Sequence, residues 1–171
     1  MDFEEKTLAS EYVYKGRILN LKKDEIALSD GSRSVREIVE HSGGSCVLCV
    51  KDGKILLVKQ FRYAYKKAIW EIPAGKINKG EEPKATAVRE LEEECGVKAE
   101  KAELLIEIYP SPGYTDEIIR LYRVYGLRDG KTHFDADERI ESRWFDIEEA
   151  KKMAKNGEIN DAKTLIALSY V

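Results

Sequence analysis

The stretch Gly75–Val97, GKINKGEEPKATAVRELEEECGV, decides the reading of this chain. From Glu81 to Cys95 the apolar period is helical, with Ala87, Val88 and Leu91 forming one stripe and acids crowding the other faces. Gly96 stands where a helix end favours a left-handed residue. At about 100° per residue, Glu90, Glu93 and Glu94 fall within an arc of roughly 100°. Acids crowded this way repel, and Arg89 and Lys84 offset only part of that repulsion. A hard divalent cation reverses the sign of the arrangement, because Mg²⁺ takes oxygen ligands and is commonly bound by a few carboxylates plus substrate phosphates. Taken alone, the helix is more readily read as a solvated acidic face than as a metal site.

Outward from this segment the chain reads as mixed β and α. Residues 1–41 form an expected N-terminal β extension. Tyr12-Val13-Tyr14, Ile18 to Leu21 and Ile26 to Leu28 are strand-like there, and a turn at Ser29 to Ser32 leads into a strand holding Val35, Ile38 and Val39. After Gly43-Gly44, two continuously apolar strands are expected at 45–51 and 54–60, covered on both faces and joined by a hairpin turn at Asp52-Gly53. Residues 68–80 read as irregular. Strands are expected at 101–109, 117–127 and 140–145, with closing helices at 147–155 and 160–169. The order of elements fits α+β or an α/β/α sandwich better than a doubly wound parallel sheet.

Composition narrows the classes further. The 171 residues are 43% hydrophobic and 36% charged, which suits one folded domain with a small appendage. Twenty-nine Lys and Arg against 32 Asp and Glu give no general attraction to nucleic acid. The longest apolar runs are far short of a membrane span, and the first residues have no signal-peptide character, so a cytoplasmic protein is expected. Three cysteines, Cys46, Cys49 and Cys95, suit a reducing compartment. Cys46 and Cys49 lie three apart on an expected strand and so face opposite ways, which favours buried thiols over half a zinc site.

The full pattern of the opening stretch resembles the signature of the Nudix hydrolases, G-x5-E-x7-R-E-U-x-E-E-x-G-U with U aliphatic. Every specified position is met, by Gly75, Glu81, Arg89, Glu90, Leu91, Glu93, Glu94, Gly96 and Val97. The resemblance implies a Nudix-type α/β/α sandwich with a mixed sheet over residues 42–171, and hydrolysis of a nucleoside diphosphate linked to another moiety. It implies Glu90 and Glu94 as metal ligands, joined by Glu93 and the carbonyl of Ala74. Arg89 is then a carboxylate-positioning group and Glu81 a brace for the loop. The implied cofactor is Mg²⁺, with Mn²⁺ as the alternative.

Segments outside the signature resemble the ADP-ribose pyrophosphatase subfamily: Gln60-Phe61-Arg62-Tyr63, Trp70 to Gly75, and Ser111-Pro112-Gly113, where Pro112 stands near the subfamily's marker proline. The implied reaction is cleavage of ADP-ribose to AMP and ribose 5-phosphate. The implied assembly is a homodimer built through the N-terminal extension. Arg62 and Arg36 are expected at the diphosphate, Tyr12 or Tyr14 at adenine and Glu117 at a ribose. Glu138 is expected as the base or a further metal ligand, with Asp137 and then Glu141 behind it. The rival readings are the same chemistry on another nucleoside diphosphate sugar or dinucleotide, and a module that senses ADP-ribose without cleaving it.

Overall fold

The computed structural model describes residues 2–134 and 138–171. They divide into two compact units, the chain up to Gly43 with Tyr109–Ile118, and Gly44–Ile108 with Ile119–Val171.

The smaller unit is an antiparallel sheet of β1 (Lys6–Lys15), β2 (Leu19–Ala27) and β3 (Arg33–His41), in that order. The expected Ser29–Ser32 turn closes with Leu28 N donating to Ser32 O at 2.8 Å and with Gly31 at φ 85°. The 109–118 segment joins β3 through Val39 N to Tyr114 O (2.7 Å) and Asp116 N to Val39 O (3.2 Å). That junction pairs residues far apart in the chain and has no local sequence signal.

In the larger unit, one sheet runs β8 (Ala74–Lys76), β4 (Gly44–Leu48), β10 (Ile119–Asp129), β9 (Val97–Ile108). The β4–β10 pair is parallel and the others antiparallel, so the sheet is mixed. A second sheet runs β11 (Ile140–Asp146), β6 (Lys54–Arg62), β5 (Val50–Lys51), with β7 (Lys67–Glu71) also on β6. The Asp52-Gly53 hairpin has both residues at positive φ, 50° and 74°, as the two-residue turn of a right-twisted ribbon requires.

Helix α1 (Pro83–Cys95) lies on one side of the strands; α2 (Ile147–Lys155) and α3 (Ala162–Leu168) lie on the other. Alternation along β4 builds both cores. Cys46 and Leu48 join Ile55, Leu57, Leu121 and the two closing helices, whereas Val47 and Cys49 join Leu56, Ala87 and Leu91 of α1. Cys46 and Cys49 are thus buried thiols in different cores, each pushed up to about 12 by burial. The architecture is an α/β/α sandwich of α+β class with a β extension, as expected from the sequence.

Two expectations need correction. The 45–51 strand is interrupted at Cys49, giving β4 and β5. The 68–80 segment is not wholly irregular: Lys67–Glu71 pairs with β6 and Ala74–Lys76 pairs with β4. Pro73, Gly75 and Gly80 read locally as breaks, but both strands are made by partners distant in sequence.

Candidate active site

Helix α1 starts with Pro83 at its first turn, where a missing N–H costs nothing. It ends at Gly96, whose φ of 63° lets its N–H bond Glu92 O at 2.8 Å. Leu91 and Ala87 anchor it with no exposed surface. This anchoring turns Glu90 and Glu94 toward the turn that leads from β7 into β8.

Glu94 is the most enclosed of the three, 4% exposed, and its Oε2 accepts a hydrogen bond from Ala74 N at 3.1 Å. Burial pushes its carboxyl up to about 8; Ala74 N–H and Arg62 oppose that change, and the carboxylates of Glu90 and Glu138 add to it. Burial likewise raises Glu90, against the pull of Arg89. Glu90 lies directly on Gly75: a Cβ there would fall 1.9 Å from the Glu90 carboxyl carbon. A side chain at this position would displace the Glu90 carboxylate from its place.

Arg89 gathers three acids. Its Nε and Nη2 grip Glu81 at 2.8 and 3.1 Å, while Nη1 reaches Glu90 Oε1 at 2.7 Å and Glu93 Oε2 at 2.6 Å. The fork on Glu81 holds that carboxyl at about 2. Glu81 also accepts from Asn78 N at 3.2 Å, so it braces the loop entering α1.

The segment after β10 runs back along α1, with Gly130 N donating to Gly96 O at 2.7 Å and His133 N to Glu93 O at 2.9 Å. Glu138 then lies close enough to Glu90 and Glu94 to perturb both. An open groove of about 650 Å³ adjoins it, bordered by Lys59, Phe61, Phe134, Glu138, Arg139 and Glu141. Asp137 lies outside the described residues. Glu141 is exposed on β11, opposite Lys59.

Arg62, expected at the diphosphate, is held by an acid at the end of β7. Its Nε and Nη2 bond the buried Glu71 at 2.6 and 2.7 Å, and its side chain stays 40% exposed. In the smaller unit, Arg36 is paired through Nε and Nη2 with Glu5. Tyr12 donates to Glu40 at 3.3 Å under the Lys15 ammonium, Tyr14 is exposed and covers Gly16, and Glu117 lies 3.2 Å from His41 Nδ1. Pro112 is in the exposed turn that begins at Ser111.

The donor set suits a hard divalent ion in kind, being carboxylate and carbonyl oxygen. Two further observations agree with that. The Glu90 carboxylate fills a cradle that a Cβ would close, and Ser45 Oγ is buried with no hydrogen-bond partner among the described residues. Ser45 pairs with Gly75 across β4 and β8, so its side chain emerges on the Glu90 face. Among the described residues, no three His, Cys, Asp or Glu side chains stand in an ion-holding arrangement; Glu90 and Glu93 instead engage Arg89.

A family profile described as the NUDIX domain matches residues 40–168. The chain belongs to the Nudix hydrolase family. Residues 5–39 of this Nudix protein match a second family, described as the nucleoside diphosphate sugar hydrolase N-terminal domain. Among curated relatives, a protein of Bacillus subtilis (strain 168) named ADP-ribose pyrophosphatase is 44% identical over 171 residues, covering 98% of this chain and 92% of its own. A methanol dehydrogenase activator of Bacillus methanolicus is 43% identical over 172 residues, covering 99% and 93%. The solved structure of an ADP compounds hydrolase shares the fold at a TM-score of 0.86 and 20% identity, over 98% of this chain and 92% of that one.

Three residues that lie beside or behind this Nudix site were not singled out from the sequence: Ser45, Glu71, which holds Arg62, and Lys163, which holds Glu71. The available signals were weak, namely lone charges in the apolar runs around Trp70 to Ile72 and Leu165 to Leu168.

Proposed function

We propose that the chain hydrolyses the pyrophosphate bond of ADP-ribose, releasing AMP and ribose 5-phosphate, with Mg²⁺ as cofactor and Mn²⁺ as the alternative. The observation that carries this reading is the buried Glu94 carboxyl on Ala74 N, with the half-buried Glu90 carboxylate against Gly75, in a Nudix chain similar along nearly its whole length to a protein named ADP-ribose pyrophosphatase. Glu90, Glu94, Glu93 and the carbonyl of Ala74 are the ligand set. When bound there, a divalent ion supplies charge neutralisation at the diphosphate and acidifies water.

The side chains divide the remaining work. Glu138 accepts a proton from the attacking water, or joins the ligands. Arg89 bridges Glu93 and Glu90 through one nitrogen while Glu81 fixes its fork. Arg62 presents its outward donors to a phosphate oxygen, a contact a planar guanidinium suits. Arg36, Tyr12, Tyr14, Pro112 and Glu117 are assigned to substrate contacts. A homodimer through residues 1–41 is supported by β1, every residue of which is exposed, with Tyr12, Val13 and Tyr14 among its apolar surface. Among the described residues no helix is long and apolar enough to cross a membrane; with three unpaired thiols this supports a cytoplasmic setting.

The second reading, the same chemistry on another nucleoside diphosphate sugar, is favoured by the description of the family matched at residues 5–39. Product analysis with Mg²⁺ across ADP-ribose, GDP-sugars and dinucleotides separates them. AMP and ribose 5-phosphate formed fastest, with Glu94→Gln slowed by at least about 100-fold, is the expected result. A preference for a GDP-sugar overturns the substrate, and full activity in Glu94→Gln overturns the site.

A further inference from the structure

Four charged side chains meet where β6, β7 and the start of α3 converge. Glu71, 1% exposed, accepts from Arg62 Nε and Nη2 and from Lys163 Nζ. Lys163, 8% exposed, also donates to Asp161 Oδ1 at 2.9 Å. The two acids and two bases form a neutral quartet. Buried ion pairs seldom add stability over apolar packing of the same volume, so their geometry is the more informative property.

That geometry leads toward the candidate site by two routes. Along the backbone, Asp161 Oδ2 caps Thr164 N at 3.0 Å and accepts from its hydroxyl at 2.6 Å. Thr164 Oγ1 in turn accepts from Ile72 N at 2.8 Å, Val47 N donates to Pro73 O at 2.9 Å, and Ala74 N reaches Glu94. Through side chains, Lys163 holds Glu71 and Glu71 holds one edge of Arg62, whose charge acts on Glu94. A guanidinium near Glu71, Asp161 and Glu94 has several acids to choose from. With Glu71 fixed by a second cation from the buried side, the Nε and Nη2 edge of Arg62 is bound there and its other donors face outward.

We propose that Lys163 is a positioning residue for substrate binding: through Glu71 it fixes the Arg62 guanidinium for the diphosphate. The proposal rests on the reading of Arg62 as a diphosphate contact. It assigns a role in substrate affinity to the first turn of α3, which touches neither a metal ligand side chain nor the groove beside Glu138.

A double-mutant cycle tests it, run at saturating Mg²⁺ on whichever nucleoside diphosphate the wild type turns over best, so that it survives failure of the ADP-ribose assignment. Arg62→Ala is expected to raise KM by about tenfold or more. Lys163→Met is expected to raise KM by about fivefold while kcat stays within about twofold. The double variant is expected to match Arg62→Ala within about twofold, because both changes remove one contact. Thermal melting of each variant is recorded alongside, and Lys163→Gln, which keeps a donor without the charge, replaces Lys163→Met if that protein does not fold. A normal KM in the Lys163 variant, or effects that multiply in the double variant, overturns the proposal alone. A normal KM in Arg62→Ala overturns the Arg62 reading and the proposal with it.

Discussion

Replacing Glu94 by glutamine is expected to stabilise the metal-free protein at alkaline pH and to change little in acid. The amide keeps the shape of the side chain and an acceptor for Ala74 N–H, and it removes a charge that burial disfavours. The folded carboxyl is raised from 4.5 to about 8. Between those values the unfolded chain has lost the proton and the folded chain retains it, so wild-type stability falls as pH rises through this window and levels off above it. Each tenfold gain in proton affinity on folding corresponds to about 1.4 kcal/mol, which gives about 4 kcal/mol at pH 8 and less than about 1 kcal/mol at pH 5. Urea unfolding in EDTA at both values measures the difference, since the other titrating groups are common to the two proteins. Adding Mg²⁺ at pH 8 is expected to close the gap by stabilising the wild type more. Equal stability of the two proteins at pH 8 without metal, or a glutamine variant that is less stable there, refutes the reasoning.

Three other outcomes follow from particular contacts. Gly75→Ala places a methyl group inside the Glu90 carboxylate, so activity is expected to fall by about 100-fold or more, with weaker Mn²⁺ binding by titration and a smaller change in melting temperature. Glu81→Gln weakens the fork on Arg89; because Glu81 is held at about 2, the stability it contributes is present above pH 4.5 and lost as pH falls toward 2, so wild type and variant should converge in acid unfolding. Leu91→Ala opens a cavity in the core under α1 and is expected to cost about 2–5 kcal/mol by denaturant unfolding.

The readable parts of this protein are those whose cause is local. The Gly75–Val97 stretch announces its helix, its Gly96 terminus and its acid ridge through spacing alone, and the Asp52-Gly53 turn announces its hairpin. What escaped the sequence depends on partners far along the chain. β8 exists because Ala74 to Lys76 meets β4, and the 109–118 segment pairs with β3. Glu71 and Lys163 are 92 positions apart, and nothing near either one tells which charge it meets. The fork of Arg62 on Glu71 had no local signal either.

Anomalous diffraction from crystals grown with Mn²⁺ tests the central claim most directly. The account predicts a strong peak within ligand distance of Glu90, Glu94 and the Ala74 carbonyl. Manganese bound elsewhere while that ridge stays empty, in crystals of protein that turns over its substrate, contradicts it.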